Sequence, residues 1–594
     1  MLHVSPDSLD RKSSTFGWIG ALQRTGRIDA SPSRTFPVVI DALAALHGEA
    51  PALIGEDERF SHAGLAARQN RVARWALSQE IAKGETVALL MRNRPEFVAL
   101  WLGLTRVGVR VALLNTNLRG RGLAHCIDVA RPAHIIVESG LADAFEGARE
   151  HLASAPRLWR HGAGPDGIET LLDGFDGAPL SAEEEREVVL SDEALLIYTS
   201  GTTGLPKAAR VSHHRIMMWT HWFAGLIDPK PSDRMYDCLP LYHSVGGVVA
   251  VGSVLVGGGS VVIREKFSAS RFWDDVVENG CTLFQYIGEL CRYLASAPPH
   301  PLERAHGLRL CAGNGLRPDV WERFAERFAV PRILEFYAAT EGTVSLYNVE
   351  GKVGAVGRVP SFMAHRSPAL LVRHDVETGL PWRGPDGLCV PAAKGEPGEL
   401  LGRLSSKAEH RFEGYTSSDE SARKVLTDVL KAGDAWMRTG DLMRQDAQGF
   451  FHFVDRIGDT FRWKGENVAT TEVAEALSSC PGVLDVAVYG VSVPGTDGRA
   501  GMAAITAGSG FDLAALREAA ATRLPAYARP VFLRVGAEIG LTETFKQKKA
   551  ALAAEGFDPS RVADALYMDD AASGAYRPLD AALFAGIATG AVRL

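Results

Sequence analysis

Short β-rich runs alternating with helical patterns predict a layered α/β fold with largely parallel sheets over most of this chain. After Gly458 the texture changes to a compact mixture of helix and strand, which predicts a smaller α+β domain. The length of 594 residues, too great for one core, independently calls for at least two domains. The expected division is 1–457 and 458–594.

In order along the chain, residues 86–90 (TVALL), 134–137 (HIIV) and 195–198 (LLIY) read as strands. Residues 95–107 and 212–227 read as helices, the second capped by Ser212. Residues 238–263 carry no Asp, Glu, Lys or Arg and are long enough to cross a bilayer. Pro240, His243, Gly246, Gly247 and the triplet Gly257, Gly258, Gly259 interrupt that run. A buried helix, a glycine break and a short strand over 260–263 are expected instead. Residues 361–420 are richer in Pro, Gly and charge and read as hairpins and loops. Past Gly458, a helix over 471–477 is followed by strand-like 483–491 and 503–507, a helix over 513–521 and a strand over 531–535.

Apolar, charged and aromatic fractions of 46%, 23% and 8% are those of a globular protein and exclude a disordered or fibrous chain. The net charge of −7 and the lack of a basic block argue against nucleic acid as a partner. Seven scattered cysteines without a C-x-x-C pair argue against structural zinc and against a disulfide framework, and fit a reducing cytoplasm. Arg11, Lys12, Arg24 and Arg27 break up any N-terminal apolar core, so no signal peptide is expected. Residues 16–22 are the candidate for peripheral contact with a membrane surface. Oligomeric state is not legible.

The most specific run is YTSGTTGLPK at 198–207. It follows an apolar strand and comprises Tyr198, Thr199, Ser200, Gly201, Thr202, Thr203, Gly204, Leu205, Pro206 and Lys207. Exposed backbone N–H groups, hydroxyls and one ammonium suit a polyphosphate. The spacing differs from the G-x-x-x-x-G-K-[ST] loop, and a plain surface turn is the competing reading. Downstream, Thr340-Glu341-Gly342 opens from a strand end, offering a hydroxyl to phosphate and a hard oxygen ligand to Mg²⁺. Asp441, after Gly440, reads as a carboxylate in a turn, suited to ribose hydroxyls or to a helix start. The charged and aromatic run from Asp455 to Val468 reads as a hinge that carries ligand contacts, or as a salt-bridged hairpin. Lys546, Lys548 and Lys549 begin a late helix and would ordinarily be a solvated face.

In this order and over two domains, these clusters resemble the adenylate-forming superfamily of acyl-CoA synthetases, adenylation domains and luciferases. Residues 91–97 (MRNRPEF), 114–120, 286–294, 313–317 and above all 458–473 (GDTFRWKGENVATTEV) are similar to the fatty-acid transport protein / very-long-chain acyl-CoA synthetase family. So is the C-terminal run from 576 to 594. The resemblance implies a large multi-sheet N-terminal domain of layered α/β and β-barrel subdomains, followed by a small mobile C-terminal domain. It also implies ATP, Mg²⁺ and coenzyme A as reactants and cofactor, and a fatty acid as substrate. The run Tyr198 to Lys207 would wrap the ATP phosphates, while Gly313, Asn314, Gly315 and Tyr337 would line the adenine pocket. Thr340 would touch the α-phosphate, Glu341 would hold Mg²⁺, and Asp441 and Arg456 would bind ribose. Gly458 would be the hinge, and Lys464 and Gly465 would meet CoA. Lys546 would be the catalytic lysine of T-x-T-G-K, although Phe545 replaces the glycine and leaves Lys548 as an alternative. For the acyl chain, residues 241–256 and 284–290 with Trp219 and Trp222 are candidate tunnel walls or simply core. Another carboxylic acid, or lipid uptake with secondary ligase activity, remains the alternative function.

Overall fold

A computed structural model of the chain describes residues 11–199, 205–405, 411–496, 498–536, 538–540, 547–592 and 594. Ser200, Gly201, Thr202, Thr203, Gly204 and Lys546 lie outside the described residues. The chain forms two compact units, one of Met1–Pro368 with Arg403–Val425 and the other of Ala369–Gly402 with Leu426–Leu594.

The first unit contains a six-stranded sheet in the order Arg157–His161, His134–Glu138, Thr86–Leu90, Arg110–Leu113, Glu193–Thr199, Lys207–Ser212. All neighbours are parallel except the last pair, which is antiparallel and brackets the glycine- and threonine-rich run. The expected strands at 86–90, 134–137 and 195–198 are therefore present. Their side chains alternate between two cores. Val87, Leu89, Val111, Leu113, Ile136, Leu195 and Ile197 enter one, while Ala88, Leu90, Ala112, Ile135, Val137 and Leu196 enter the other. A sheet covered on both faces has no wet side, hence the unbroken apolar runs.

A second sheet is centred on the parallel strands Pro51–Ile54, Ser260–Ile263, Arg234–Asp237, Leu283–Ile287, Leu310–Asn314 and Ile333–Ala338. Ile333–Ala338 then pairs antiparallel with Ser345–Asn348, which makes 339–344 a tight connection. The uncharged stretch resolves into a wide helical turn at Val245–Ala250, the helix Val251–Leu255 and the strand Ser260–Ile263. It lacks charge because it is buried, and no helix among the described residues is long and apolar enough to cross a membrane. All seven cysteines are free and buried.

The helix His213–Ile227 begins as expected, with the Ser212 hydroxyl accepting from the Arg215 N–H. The N-terminal helix Arg11–Thr25 crosses it backbone to backbone. A Cβ on Gly225 would stand 2.2 Å from the Ala21 nitrogen, and one on Gly20 would stand 2.9 Å from the Gly225 carbonyl. These two glycines set the crossing distance.

In the second unit the strands Ala369–Val372, Pro397–Arg403, Ala435–Gln445 and Phe450–Arg456 lie side by side in that order. A five-stranded sheet runs Val483–Val491, Ala500–Ala507, Phe532–Gly536, Ala565–Asp570, Ala575–Pro578. With the helices Thr470–Ser478 and Leu513–Arg523 it encloses its own apolar core. One local expectation fails. Asp441 is not in a turn but inside the strand Ala435–Gln445. Buried Trp436 and Met437 before it, and Leu442 and Met443 after it, carry the strand through the glycine. The Thr439 hydroxyl donates to the Leu400 carbonyl and accepts from the Asp441 N–H, which keeps the kink on the ladder.

Gly225→Ala is expected to lower stability by about 1–3 kcal/mol, because an overpacked helix crossing must open. Thermal unfolding and limited proteolysis of the N-terminal helix report this, and an unchanged midpoint with unchanged protection would refute the close crossing.

Candidate functional site

The first unit gathers the phosphate-type and metal-type residues. Thr199 ends one strand and Lys207 begins the next, directly opposite in register. The tight connection after Ile333–Ala338 carries Thr340 and Glu341. Its shape is held by Arg215, which is 8% exposed and lies on the first turn of the Ser212-capped helix. Its guanidinium donates to the carbonyls of Thr340 (2.8 Å), Gly342 (3.1 Å) and Arg411 (3.0 Å). Glu413 lies 3.6 Å away and also accepts from the Ser212 hydroxyl and N–H. The Ser244 and Thr340 hydroxyls are 3.1 Å apart.

Glu341 is 8% exposed, and the Tyr415 hydroxyl donates to its Oε1 at 2.6 Å, with the Lys424 ammonium 3.8 Å from the same oxygen. Burial and the neighbouring Glu341 carboxylate push the Tyr415 phenol up, so it stays a donor. Lys207 forms a short ion pair with Glu420, whose carboxyl is held below its usual range by that ammonium. Sequence reasoning missed Arg215, Tyr415 and Glu420. The signal for Arg215 was its place on a capped first turn. Nothing local marked the other two, which act across a long sequence separation.

The proposed adenine wall sits on neighbouring parallel strands, where Tyr286, Gly313 and Glu335 stand side by side in register. Gly313 explains itself: a Cβ there would stand 2.2 Å from the Tyr286 carbonyl and 2.4 Å from its ring. The missing side chain lets the Tyr286 phenol cross the middle strand and reach Glu335 Oε2 at 2.5 Å. Glu335 Oε1 accepts from the Leu316 N–H at 3.1 Å, tying down the turn after Gly315. Burial pushes the Glu335 carboxyl up to about 8, opposed by the bonds from Tyr286, Leu316 and Gly315. Tyr337, two residues on, is half-buried at the end of the same strand.

The second unit holds the residues expected to meet ribose and to serve as a hinge. Asp441 and Arg456 are direct partners across an antiparallel pair, with Nε 3.7 Å from Oδ1. Asp455, 1% exposed, accepts from the Thr470 N–H (2.5 Å) and hydroxyl (3.0 Å), the Thr460 hydroxyl (3.1 Å) and the Arg456 N–H (2.9 Å). Gly458 follows at φ +101°, exposed, with nothing within 4 Å of a Cβ position. The strands Phe461–Trp463 and Glu466–Val468 form a hairpin whose turn is Lys464 (φ +52°) and Gly465 (φ +84°). Two positive φ values make a tight turn matched to strand twist, so residues 461–468 of this run form a hairpin. Lys549, at the start of the helix Lys549–Glu555, donates to the Thr470 hydroxyl at 2.7 Å and lies 3.5 Å from Asp459.

The family model described as AMP-binding enzyme matches residues 40–408, and that of the AMP-binding enzyme C-terminal domain matches 472–546. The chain is 42% identical over 572 residues to human long-chain fatty acid transport protein 1, covering 94% of this chain and 88% of that one. It is 44% identical over 528 residues to human long-chain fatty acid transport protein 3, covering 86% and 76%. Its fold is similar to that of an anthranilate CoA ligase in complex with anthranoyl-AMP (TM-score 0.75, 21% identity, 88% and 96% covered). It is also similar to a Mycobacterium tuberculosis fatty acyl CoA synthetase (TM-score 0.61, 22% identity, 88% and 98% covered). The chain belongs to the AMP-binding, adenylate-forming enzymes and, among them, to the family of the long-chain fatty acid transport proteins.

The Glu335 carboxyl binds a proton in the folded state that the unfolded chain releases between the ordinary value of 4.5 and about 8. Its contribution to stability therefore falls as pH rises across that window. Glu335→Gln, which keeps an acceptor for Leu316, is expected to flatten the decline of the thermal midpoint over that range. Equal slopes for both proteins would show that Glu335 is not protonated when buried.

Proposed function

We propose that this member of the family is an ATP- and CoA-dependent ligase that converts a long- or very-long-chain fatty acid to its CoA thioester through an acyl-adenylate. The observation that carries the reading is the gathering of Glu341, Thr199 and Lys207 about Tyr415 within one unit, with Thr340 next to Glu341 in the same connection. The similarity to long-chain fatty acid transport proteins over most of both chains supports the fatty acid as substrate.

The chemical difficulty is that a carboxylate is a poor electrophile. Its oxygen attacks the α-phosphorus of ATP, the bond to pyrophosphate breaks, and a mixed anhydride with AMP results. Two anions must meet, so charge neutralisation and alignment dominate the barrier. Thr199, Ser200, Gly201, Thr202, Thr203, Gly204 and Lys207 grip the phosphates, without Tyr198, whose buried phenol is turned into the core and donates to the Cys126 carbonyl at 2.6 Å; Thr340 meets the α-phosphate, and Lys546 supplies positive charge at the reacting phosphorus. Gly313, Asn314, Gly315 and Tyr337 line the base, and Asp441 with Arg456 holds the ribose. In the second step the CoA sulfur attacks the acyl carbonyl and AMP leaves.

Glu341 fits Mg²⁺: its Oε1 is engaged by Tyr415, and Oε2 has no partner among the described residues. A single carboxylate joined by triphosphate oxygens is a usual way to hold this ion. Bound there, the ion would withdraw negative charge from the phosphates.

The functional division runs 1–457 and 458–594, with the C-terminal part turning at Gly458 between the two steps. Turning withdraws Lys546 and presents Lys464 and Gly465 to CoA. The open surroundings and positive φ of Gly458 suit such a pivot. Cytoplasmic location with peripheral membrane contact through residues 16–22 completes the reading. Phe16 is 75% exposed and Ile19 39%.

Thioester formation from fatty acids of increasing length with ATP and CoA tests the function, and absence of AMP production with every acid would overturn it. Lys546→Ala is expected to lose adenylation by about 10²-fold or more, yet to form thioester from supplied acyl-adenylate; unimpaired adenylation would remove Lys546 from the chemistry. Gly465→Trp is expected to block the CoA step and spare pyrophosphate release, since nothing stands within 4 Å of a Cβ at that turn and the strain of a side chain at φ +84° stays within the hairpin. Equal loss of both steps would sink the assignment of Gly465 to CoA.

A further inference from the structure

Residues 411–424 return to the site from far along the chain. The Arg210 N–H donates to the Gly414 carbonyl and the Thr416 N–H to the Ala208 carbonyl, both at 3.0 Å, so Tyr415 is laddered opposite Ala209. The Tyr415 N–H also donates to the Ser421 hydroxyl at 2.8 Å, which closes the segment on itself. Its backbone is thereby fixed to the strand Lys207–Ser212, the strand that leaves the phosphate-type run. Its phenol, 3% exposed, donates to Glu341 Oε1 at 2.6 Å and lies beside the Thr199 side chain at the other end of that run. The Lys207 ammonium lies 5.8 Å from the centre of the same ring.

We propose that Tyr415 is a positioning residue for Glu341, a phenol on a backbone fixed to the strand that leaves the phosphate-type run, which holds the metal-type carboxylate by Oε1 and leaves Oε2 for the metal–nucleotide complex. This rests on the reading of Glu341 as the Mg²⁺ carboxylate. The physical argument is one of preorganisation. A glutamate has several side-chain torsions, and a buried carboxylate held by one charge-assisted hydrogen bond keeps a single orientation. Binding at the run and metal capture at Glu341 are then linked through one side chain.

The test uses the full chain with Tyr415→Phe, which keeps the ring and removes only the hydroxyl, and with Glu341→Gln as reference. Mn²⁺, added with α,β-methylene-ATP, is followed by electron paramagnetic resonance of the free ion. Nucleotide affinity without metal is measured in EDTA, and the thermal midpoint is recorded. Tyr415→Phe is expected to weaken Mn²⁺ binding in the ternary complex about tenfold, the scale of a hydrogen bond to a charged group, with metal-free nucleotide affinity unchanged and a cooperative thermal transition retained at a somewhat lower midpoint. If Glu341→Gln loses Mn²⁺ and Tyr415→Phe does not, the positioning role is overturned while Glu341 stands. Equal weakening of metal-free nucleotide by Tyr415→Phe overturns it in favour of packing. If Glu341→Gln binds Mn²⁺ normally, the metal reading of Glu341 fails and the tether to it fails with it.

Discussion

The first unit turns on one buried cation. Arg215 carries a charge that cannot be left unpaired in a dry interior, because desolvation would cost several kcal/mol without compensation (roughly, for any such ion). It is met by three carbonyls and the Glu413 carboxylate. Those partners come from the Thr340–Gly342 connection and from the segment near Arg411, which are remote in sequence. Satisfying a single guanidinium therefore fixes both walls that surround Glu341. Ser212 strengthens the constraint, because its hydroxyl caps the helix bearing Arg215 and donates to the same Glu413.

The second unit follows a different logic, with anchored ends around an exposed middle. Asp455 is buried and its carboxyl is pushed up by burial, yet it collects donors from Arg456, Thr460 and Thr470. It thus joins the end of one sheet to the start of the helix Thr470–Ser478. Between those anchors lie exposed Gly458 and the two-residue turn at Lys464 and Gly465. Lys464 accepts an uncommon positive φ for the sake of that turn, which costs about 1 kcal/mol or more for a residue with a Cβ. A long basic side chain kept at the tip of a tight hairpin at that cost suits the contact with CoA proposed for it.

Much of the architecture could be read from local pattern. The strands around residues 86–90, 134–137 and 195–198, the Ser212 cap and the broken apolar stretch before Ile263 follow from side-chain periodicity, capping chemistry and glycine placement. Asp441 did not, because a glycine beside a carboxylate signals a turn locally, whereas buried neighbours on both sides hold the strand through it. Gly313 was legible, through the family resemblance, as an adenine-pocket glycine but not as the gap over which Tyr286 reaches Glu335, since that contact spans three strands. Tyr415 and Glu420 were invisible for the same reason.

The sequence by itself determined the fold class, the order of the motifs and the family, because each rests on short-range periodicity or on residues adjacent in the chain. The sequence also placed a threonine, a glutamate and a lysine in plausible phosphate and metal roles. Only the tertiary structure decided which groups hold them: Arg215 beneath the Thr340–Gly342 connection, Tyr415 on Glu341, Glu420 on Lys207, and Arg456 opposite Asp441. Those pairings are set by burial and strand register, which act through space between residues that share no local pattern.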